Sequence, residues 1–351
     1  MVGFSNDKGG VESYITNLCN NLDENKYEVI YCWPEMTING KVWVCPQNRH
    51  NYIKYIRFWK KFFKQNIFDV IYYNTCDIVS VDMLRFAKKL NIPVRIIHSH
   101  NTEIQFKRRF IHHYLEHKNK KEIGNIATDL LACSNSAGKW MFPNNDFIEI
   151  KNGIDIDRYH FDIDNRKKCR KIIDVKDELV IGCVGRLDNQ KNPFFSFEIM
   201  RKIIEKNNNA KCVFIGDGEY REELQKKILK ANLEKSIFIL GARDDVNKWY
   251  SALDCLIMPS LFEGFPFTLV EAQTSGLPCV ISSAISIKVD LTGNVIFMSL
   301  EENNASEWAE VIIQKAETDR IDKSDVICRK GYSIKETAVI VEKIINNRIN
   351  K

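Results

Sequence analysis

The 351-residue sequence has little of what marks a membrane-spanning, secreted or nucleic-acid-binding protein. No apolar run approaches the roughly 18 residues that a membrane-spanning helix needs. The opening residues, MVGFSNDKGG, lack the basic and apolar regions of a secretory signal. A net charge of only +5 gives no reason to expect a nucleic-acid partner. We therefore expect a cytoplasmic protein.

Cysteine pairs at metal-binding spacing are also missing. The eleven cysteines are an odd number, they are scattered singly from Cys19 to Cys328, and no C-x-x-C pair occurs. Most lie in apolar runs such as DCLIMP and VIGCVG, where a free thiol behaves as a small hydrophobic side chain. We expect core packing for these thiols.

Short β-branched runs alternate with amphipathic segments along the second half of the chain. The strand candidates there are LVIGCVG, KCVFIG, SIFILG, DCLIMP and PCVIS, and those of the first half are YEVIYCW, DVIYY, IPVRIIHSH, TDLLACS and DFIEIKNG. A repeated strand–helix order predicts a parallel sheet with crossover helices. The sequence therefore predicts an α/β protein with two doubly wound, Rossmann-like domains.

A polar, charge-rich stretch at residues 155–178 suggests the boundary between these domains. We place an N-terminal domain at residues 1–165 and a C-terminal domain at residues 166–332.

Two glutamates stand near the end of a predicted strand. The segment PSLFEGFPFTLVEAQTSGLPCVIS holds Glu263 in a loop and Glu271 inside a helix that begins near Pro266. Ligands of open parallel sheets bind at the carboxyl ends of strands, where helix N-termini present unpaired amides. Carboxylates there can accept hydrogen bonds from sugar diols. The alternative is that Glu271 faces solvent and that the helix dipole favours Glu263.

Two cations follow another predicted strand. Arg186 and Lys191 stand in RLDNQKN, just before a helix that begins near Pro193. An arginine fork and a compact lysine charge suit a diphosphate, although surface solvation is the alternative for each residue alone. Together with the carboxylates, they fit a nucleotide diphosphate that carries a sugar.

The ordered set of motifs resembles the family 4 retaining glycosyltransferases, which have the GT-B fold of two Rossmann-like domains that face each other across a cleft. The motifs are GGVE at Gly9–Glu12, HSH at His98–His100, NGID at Asn152–Asp155, GRLDNQKN at Gly185–Asn192, GDGEYREEL at Gly216–Leu224, and E-x7-E at Glu263 and Glu271. The resemblance extends over nearly the whole chain. It implies that the tail, residues 333–351, forms a helix that crosses back to the N-terminal domain.

The resemblance also implies roles for single residues. Glu263 would approach the donor sugar, Glu271 would bind the ribose, and Arg186 and Lys191 would neutralise the diphosphate. His100, or less favourably His98, would lie beside the anomeric carbon, with a satisfied polar group at a strand end as the alternative.

Further donor contacts follow from the same resemblance. Gly9 and Gly10 would let the first helix approach the donor phosphates. The backbone amides of Gly264, Phe265 and Phe267 would cap the β-phosphate, and Pro266 and Thr268 would belong to the same donor-binding segment. Gly241 and Arg243, in GARD, would lie near the base.

The implied reaction is front-face transfer of a hexose from a nucleotide-diphosphate sugar, UDP-linked by preference, with retention of configuration. Charge develops on the leaving diphosphate, and fixed protein cations there speed the reaction. We therefore expect no metal and no cofactor.

The acceptor is predicted from a basic helix. Between Lys41 and Phe68 there are seven basic residues and no acidic one, and NYIKYIRFWKKFFK places Tyr52, Ile56, Trp59 and Phe63 on one helical stripe. This pattern is typical of an element that lies on a membrane surface. The alternative is an ordinary helix whose apolar side packs on the sheet. We favour a lipid-linked saccharide as acceptor, in capsule or exopolysaccharide assembly at the inner face of the cytoplasmic membrane.

Two other functions fit the same fold. A sugar-nucleotide epimerase would need no acceptor, and a non-catalytic nucleotide-sugar-binding subunit would lack donor residues that this sequence has.

Overall fold

The computed structural model describes residues 1, 10–33, 41–44, 52–101, 109–263, 265–301, 304–318 and 320–350. The chain divides into two compact units, one formed by Met1–Gly153 with Tyr332–Lys351 and one formed by Ile154–Gly331. The division thus falls N-terminal to the 165/166 boundary expected from the sequence. The C-terminal segment belongs to the first unit.

The helices and strands of the first unit, up to the point where the chain leaves it, are α1 (Gly10–Asn20), β1 (Ile30–Trp33), β2 (Lys41–Val44), α2 (Tyr52–Gln65), β3 (Val70–Thr75), α3 (Asp82–Lys89), β4 (Val94–Ser99), α4 (Phe110–Ile126), β5 (Asp129–Ala132), α5 (Asn135–Met141) and β6 (Ile148–Glu149). Strands β3, β4, β5 and β6 form a parallel sheet in that order, and β1 pairs with β2 in a separate parallel ribbon. Burial on both sides explains why β3 and β4 are rich in apolar residues.

The elements of the second unit are α6 (Ile156–Tyr159), α7 (Ile163–Ile172), β7 (Val180–Val184), α8 (Pro193–Lys206), β8 (Lys211–Ile215), α9 (Arg221–Lys230), β9 (Ile237–Gly241), α10 (Val246–Ala252), β10 (Cys255–Met258), α11 (Phe267–Thr274), β11 (Cys279–Ser282), β12 (Val295–Met298), α12 (Ala305–Ala316) and α13 (Ser324–Arg329). Its sheet is parallel, with the order β12-β11-β10-β7-β8-β9. Two apolar clusters fill its core, with β7 and β10 contributing residues to both. The predicted α/β class with two parallel-sheet domains is confirmed.

The last helix, α14 (Ile334–Ile349), packs within the first unit. Its apolar side buries Val341 and Ile345, and its Arg348 contacts Asp129 at the start of β5. The chain can return so closely only because residue 153 is glycine: a Cβ there would lie 2.7 Å from the backbone nitrogen of Ile334. The NGID motif therefore has a packing role at this glycine.

Helix α2 forms at the predicted place, but its apolar side faces the core. Trp59 and Phe63 are buried, and they are joined by Tyr55 and Phe62, which the predicted stripe did not include. Ile56 is partly buried against the same cluster. The aromatic side of this helix therefore has the position expected of an ordinary domain helix, and its basic side is exposed together with Ile53.

Seven of the ten cysteines that the structure describes are buried, and all ten are free thiols. Among the described residues, no helix is both long enough and apolar enough to cross a bilayer.

Candidate active site

The strand order of the second sheet reverses between β7 and β10. From β7 the strand order runs outward through β8 and β9, and from β10 it runs the other way through β11 and β12. Because both strands are parallel, the loops that follow them open at the same edge of the sheet. Such a switch point is where open α/β sheets bind ligands. The loops are residues 185–192 and 259–266, which carry the predicted Arg186, Lys191 and Glu263.

Lys191 and Glu263 form an ion pair at this switch point. The Lys191 Nζ lies 2.6 Å from the Glu263 Oε1, and the two side chains are only 16% and 7% exposed. Gln190 fixes the pair, since its Nε2 donates to the Phe262 carbonyl at 3.1 Å and to the Glu263 Oε2 at 3.3 Å. The Leu261 amide donates to the Gln190 carbonyl at 2.9 Å. The structure therefore holds a cation and a carboxylate together, largely shielded from water.

Arg186 has a different setting. Its side chain is 64% exposed, and its Nε lies 3.3 Å from the Asp188 carboxylate. The same carboxylate accepts from the Lys191 amide at 3.1 Å, so Asp188 shapes the loop as well. An exposed arginine at a strand end can turn toward an incoming anion at small cost, because surface ion pairs are weak.

The structure does not support the alternative in which Glu271 faces solvent. It is partly buried, and its carboxylate accepts a hydrogen bond of 2.6 Å from the Tyr250 hydroxyl. Burial raises the pKa of Glu271, and hydrogen bonds from Tyr250 and Tyr159 oppose that rise. Burial likewise raises the pKa of both tyrosines. The phenols act only as donors, and the carboxylate can accept further hydrogen bonds from a diol.

The start of α11 lies beside these side chains in sequence. Pro266 holds the N-cap position with an extended backbone, and Phe267 is the first helical residue. First-turn amides of a helix, here those of Phe267 and Thr268, have no carbonyl partner within the helix. Phe265 packs partly against the core, whereas Gly264 lies outside the described residues. The described part of this segment is compatible with the predicted phosphate contacts.

Gly241 and Arg243 occupy the end of β9. Gly241 has φ of +73°, a conformation that favours glycine, and its carbonyl accepts from the Gly216 amide at 2.9 Å. Arg243 binds Asp245 with two hydrogen bonds of 2.6 and 3.0 Å, which raise the pKa of the guanidinium. It also stacks over the Trp249 ring at 5.4 Å. Arg243 thus has structural partners of its own, and its role toward a base stays a prediction.

In the first unit, polar side chains cluster where β3 and β4 end. The His98 and His100 rings lie 4.1 Å apart, and Tyr14 of α1 contacts both rings. His98 Nδ1 is 2.9 Å from the Tyr72 hydroxyl. Gly10 begins α1, and Gly9 lies outside the described residues.

His100 contacts a side-chain amide of β3. Its Nε2 lies 2.9 Å from the Oδ1 of Asn74, which favours the tautomer with the proton on Nε2 because an amide oxygen only accepts. The Asn152 side chain also hydrogen-bonds this ring, which raises the pKa of His100, although burial outweighs that effect. Burial lowers the pKa of His100 to about 3. A neutral His100 can accept a hydrogen bond from a hydroxyl group.

Comparisons with known proteins agree with this arrangement. The family described as "Glycosyl transferases group 1" matches residues 165–331, and "Glycosyltransferase Family 4" matches residues 8–158. The chain belongs to the family 4 glycosyltransferases. The predicted family is therefore confirmed.

Individual relatives extend over different parts of the chain. The EpsF protein of Bacillus subtilis, which is named as a glycosyltransferase, is 28% identical over 97% of this chain and 94% of its own length. An Escherichia coli enzyme named UDP-Gal:alpha-D-GlcNAc-diphosphoundecaprenol alpha-1,3-galactosyltransferase is 38% identical, over 38% of this chain and 36% of its own. The solved structure of Anabaena Alr3699/HepE in complex with UDP has a TM-score of 0.74 and 16% identity, over 99% of this chain and 98% of that one. Such structural neighbours are GT-B glycosyltransferases.

Sequence reasoning missed the residues that hold the predicted ones. The side chains of Gln190, Tyr250, Tyr159 and Asn74 each bind a predicted site residue, and none of the four was itself predicted. Gln190 stands inside the GRLDNQKN motif and could have been found there. The two tyrosines and Asn74 carry no such signal, because they approach only after the chain folds.

Proposed function

We propose that this family 4 glycosyltransferase moves a hexose from a UDP-linked sugar to a lipid-linked saccharide or other sugar acceptor during cell-surface polysaccharide synthesis. The observation that carries the proposal is the shielded Lys191–Glu263 pair at the switch point of the second sheet. In a sugar–phosphate linkage, the cation suits the phosphate and the carboxylate suits the hydroxyl groups of the sugar.

The donor assignment rests on complementary charge. Arg186 is exposed at the end of β7, and the first turn of α11 presents amide groups with a partial positive charge. A diphosphate between them would receive three kinds of donor: a guanidinium, an ammonium and backbone amides. UDP is the preferred nucleotide because it is named in the Alr3699/HepE complexes and in the E. coli relative.

The proposed reaction breaks the bond between the anomeric carbon and the diphosphate oxygen. The acceptor hydroxyl oxygen bonds to that carbon from the same face, and its proton passes to the leaving phosphate. Lys191 and Arg186 stabilise the charge that develops on this phosphate. In glycosyltransferases of the other large fold, a metal ion has this role. We propose that neither a metal nor another cofactor takes part.

A lipid-linked acceptor and a place at the inner face of the cytoplasmic membrane form the finer part of the proposal. The names of two relatives, from E. coli and from Campylobacter jejuni, include diphosphoundecaprenol or diphospho-undecaprenol acceptors. The exposed basic side of α2 is compatible with an anionic surface.

Transfer assays test the proposal. Donors are first screened by the thermal shift that UDP-, GDP- and ADP-linked hexoses produce. The best donor is then incubated with a polyprenyl-diphosphate-linked sugar, and products are separated by mass spectrometry. We expect a saccharide longer by one hexose. An epimerised donor would identify an epimerase, and no turnover with any donor would identify a binding subunit.

The matched control is Lys226, an exposed lysine on α9. Lys191→Ala should abolish most transfer, whereas Lys226→Ala should leave it unchanged. Equal activity of both variants would contradict the assignment of the site.

A further inference from the structure

Two tyrosines from different helices hold the Glu271 carboxylate. Tyr250 of α10 is fully buried, and its hydroxyl donates to the Glu271 Oε2 at 2.6 Å. Tyr159 of α6 donates a second hydrogen bond to the same carboxylate, and the centre of its ring lies 6.0 Å from that of Tyr250. Helices α6, α10 and α11 pack against one another, so the carboxylate is fixed where all three meet.

Both of these partners of Glu271 are neutral donors. Arg158 acts on the carboxylate through its charge, while its guanidinium donates to the Asp244 carbonyl at 3.0 Å. An arginine fork would occupy both carboxylate oxygens, whereas each phenol donates a single hydrogen bond. Of about four acceptor positions on the carboxylate, about two therefore stay available. A carboxylate held in this way can still accept both hydroxyl groups of a diol.

Tyr250 also contacts the start of α11. Its hydroxyl forms a hydrogen bond with the side chain of Thr268, in the first turn of that helix. Glu271 lies three residues further along, and residues at this spacing are neighbours on a helix surface. The phenol therefore fixes the carboxylate relative to the first turn of α11, where the diphosphate is proposed to bind.

We propose that Tyr250 and Tyr159 are positioning residues for ribose recognition, which orient the Glu271 carboxylate so that it accepts both hydroxyl groups of the ribose of a nucleoside diphosphate. Hydrogen bonds to a charged acceptor are strong, and a carboxylate that is fixed in advance loses little freedom when the diol binds. The inference rests on the proposed function, because that function supplies the nucleoside-diphosphate donor.

Calorimetry of the full chain with UDP and with 2′,3′-dideoxy-UDP tests this role without any transfer reaction. We expect the wild type to prefer UDP about tenfold or more, because the analogue has no hydroxyl groups for the buried carboxylate. Tyr250→Phe keeps the ring and removes the donor. It should weaken UDP binding about tenfold and change binding of the analogue less than about threefold. Tyr159→Phe, at a partly buried residue, should act in the same direction.

Two further readouts separate positioning from a purely structural role. In a Glu271→Gln background, Tyr250→Phe should change UDP affinity less than about twofold, because no carboxylate is left to orient. A change from about pH 8 to about pH 5.5 should weaken UDP binding more in Tyr250→Phe than in wild type, because burial raises the pKa of Glu271 and loss of a donor raises it further. The groups that act on Glu271 are Tyr250, Tyr159 and Arg158, and UDP itself titrates equally in both experiments.

The matched control is Tyr73→Phe in the first unit. It also removes a hydroxyl from a buried tyrosine, in this case one that donates to the Ser80 carbonyl at 3.2 Å. Loss of the preference for UDP in both test variants, but not in this control, supports the inference. If Tyr250→Phe does not fold, Tyr159→Phe decides.

Three results overturn the inference: a wild type that does not prefer UDP, test variants that keep the wild-type preference, or test variants that bind both nucleotides equally less well. Failure of the proposed function is recognised separately. A wild type that prefers UDP, loses this preference in the tyrosine variants and transfers no sugar contradicts the proposed function and supports the positioning role.

Discussion

Substitutions of the Lys191–Glu263 pair should affect the stability of the protein and its transfer activity differently. Lys191→Met keeps the apolar stem of the side chain and removes its charge, which leaves the Glu263 carboxylate shielded and unpaired. Breaking one partner of a buried ion pair costs about 3–5 kcal/mol. We expect the lower end, about 3 kcal/mol, because Gln190 still donates to the Glu263 Oε2 at 3.3 Å.

This loss translates into a measurable melting shift. For a unit of this size, each kcal/mol moves the melting temperature by about 2–4 °C, so Lys191→Met should melt roughly 6–12 °C lower. Lys191→Met with Glu263→Gln removes both charges and should recover most of that loss, to within about 1 kcal/mol of wild type. Transfer should stay at least about a hundredfold below wild type in both variants, because the charge on the leaving phosphate is still missing.

The controls come from the same chain. Lys206 pairs with Glu310 at 2.8 Å with exposures of 37% and 63%, so Lys206→Met should cost below about 1 kcal/mol. Arg186→Ala, at a 64% exposed residue, should leave the melting temperature near wild type while lowering transfer about a hundredfold. Denaturant unfolding and kcat/KM measure the two effects. An unchanged melting temperature in Lys191→Met refutes the shielded pair, and restored transfer in the double variant refutes the catalytic role of Lys191.

Three further predictions concern other parts of the two sites. The free energy of unfolding should fall as pH drops from about 6.5 toward about 3, by up to about 1.4 kcal/mol per pH unit for His100, because burial lowers its pKa to about 3 and only the unfolded state takes up the proton. His100→Gln should flatten this slope in denaturant melts at about pH 7 and about pH 5, and an unchanged slope would count against a neutral His100. Glu271→Gln should weaken UDP binding about tenfold or more in calorimetry, whereas Glu263→Gln should leave it within about threefold and impair transfer. Equal affinity in all three proteins would remove Glu271 from the ribose site. Transfer should persist in excess EDTA, and a requirement for an added divalent metal would contradict the proposed charge stabilisation by protein cations alone.

Much of the fold could be predicted from the sequence because its signals are local. Alternating buried strands and amphipathic helices define the parallel sheets, and Pro193 and Pro266 mark the starts of α8 and α11 where the structure has them. The boundary at 165/166 was placed from composition alone. The structure divides the chain at Gly153 and Ile154 instead, because α6 packs with α10 and α11 and α7 packs with α10.

The site could be predicted only as a set of strand-end residues. The positions of Arg186, Lys191 and Glu263 follow from the motifs, but their pairing does not: Lys191 binds Glu263, while Arg186 binds Asp188. The sequence pattern of α2 was equally ambiguous, since a basic, aromatic-rich helix can either lie on a membrane surface or pack its apolar side on the sheet. The structure places Trp59 and Phe63 in the core of the first unit. Their burial arises from packing between residues that are far apart in sequence.

The most direct measurement of the central claim is the product formed from a UDP-hexose and a polyprenyl-diphosphate-linked sugar in excess EDTA. Mass spectrometry gives the length of the saccharide, and NMR of the new anomeric proton gives the configuration. The account predicts one added hexose with the donor's anomeric configuration retained, and loss of that product in Lys191→Ala but not in Lys226→Ala. An inverted linkage, an epimerised donor without transfer, or a product that Lys191→Ala forms at the wild-type rate would contradict it.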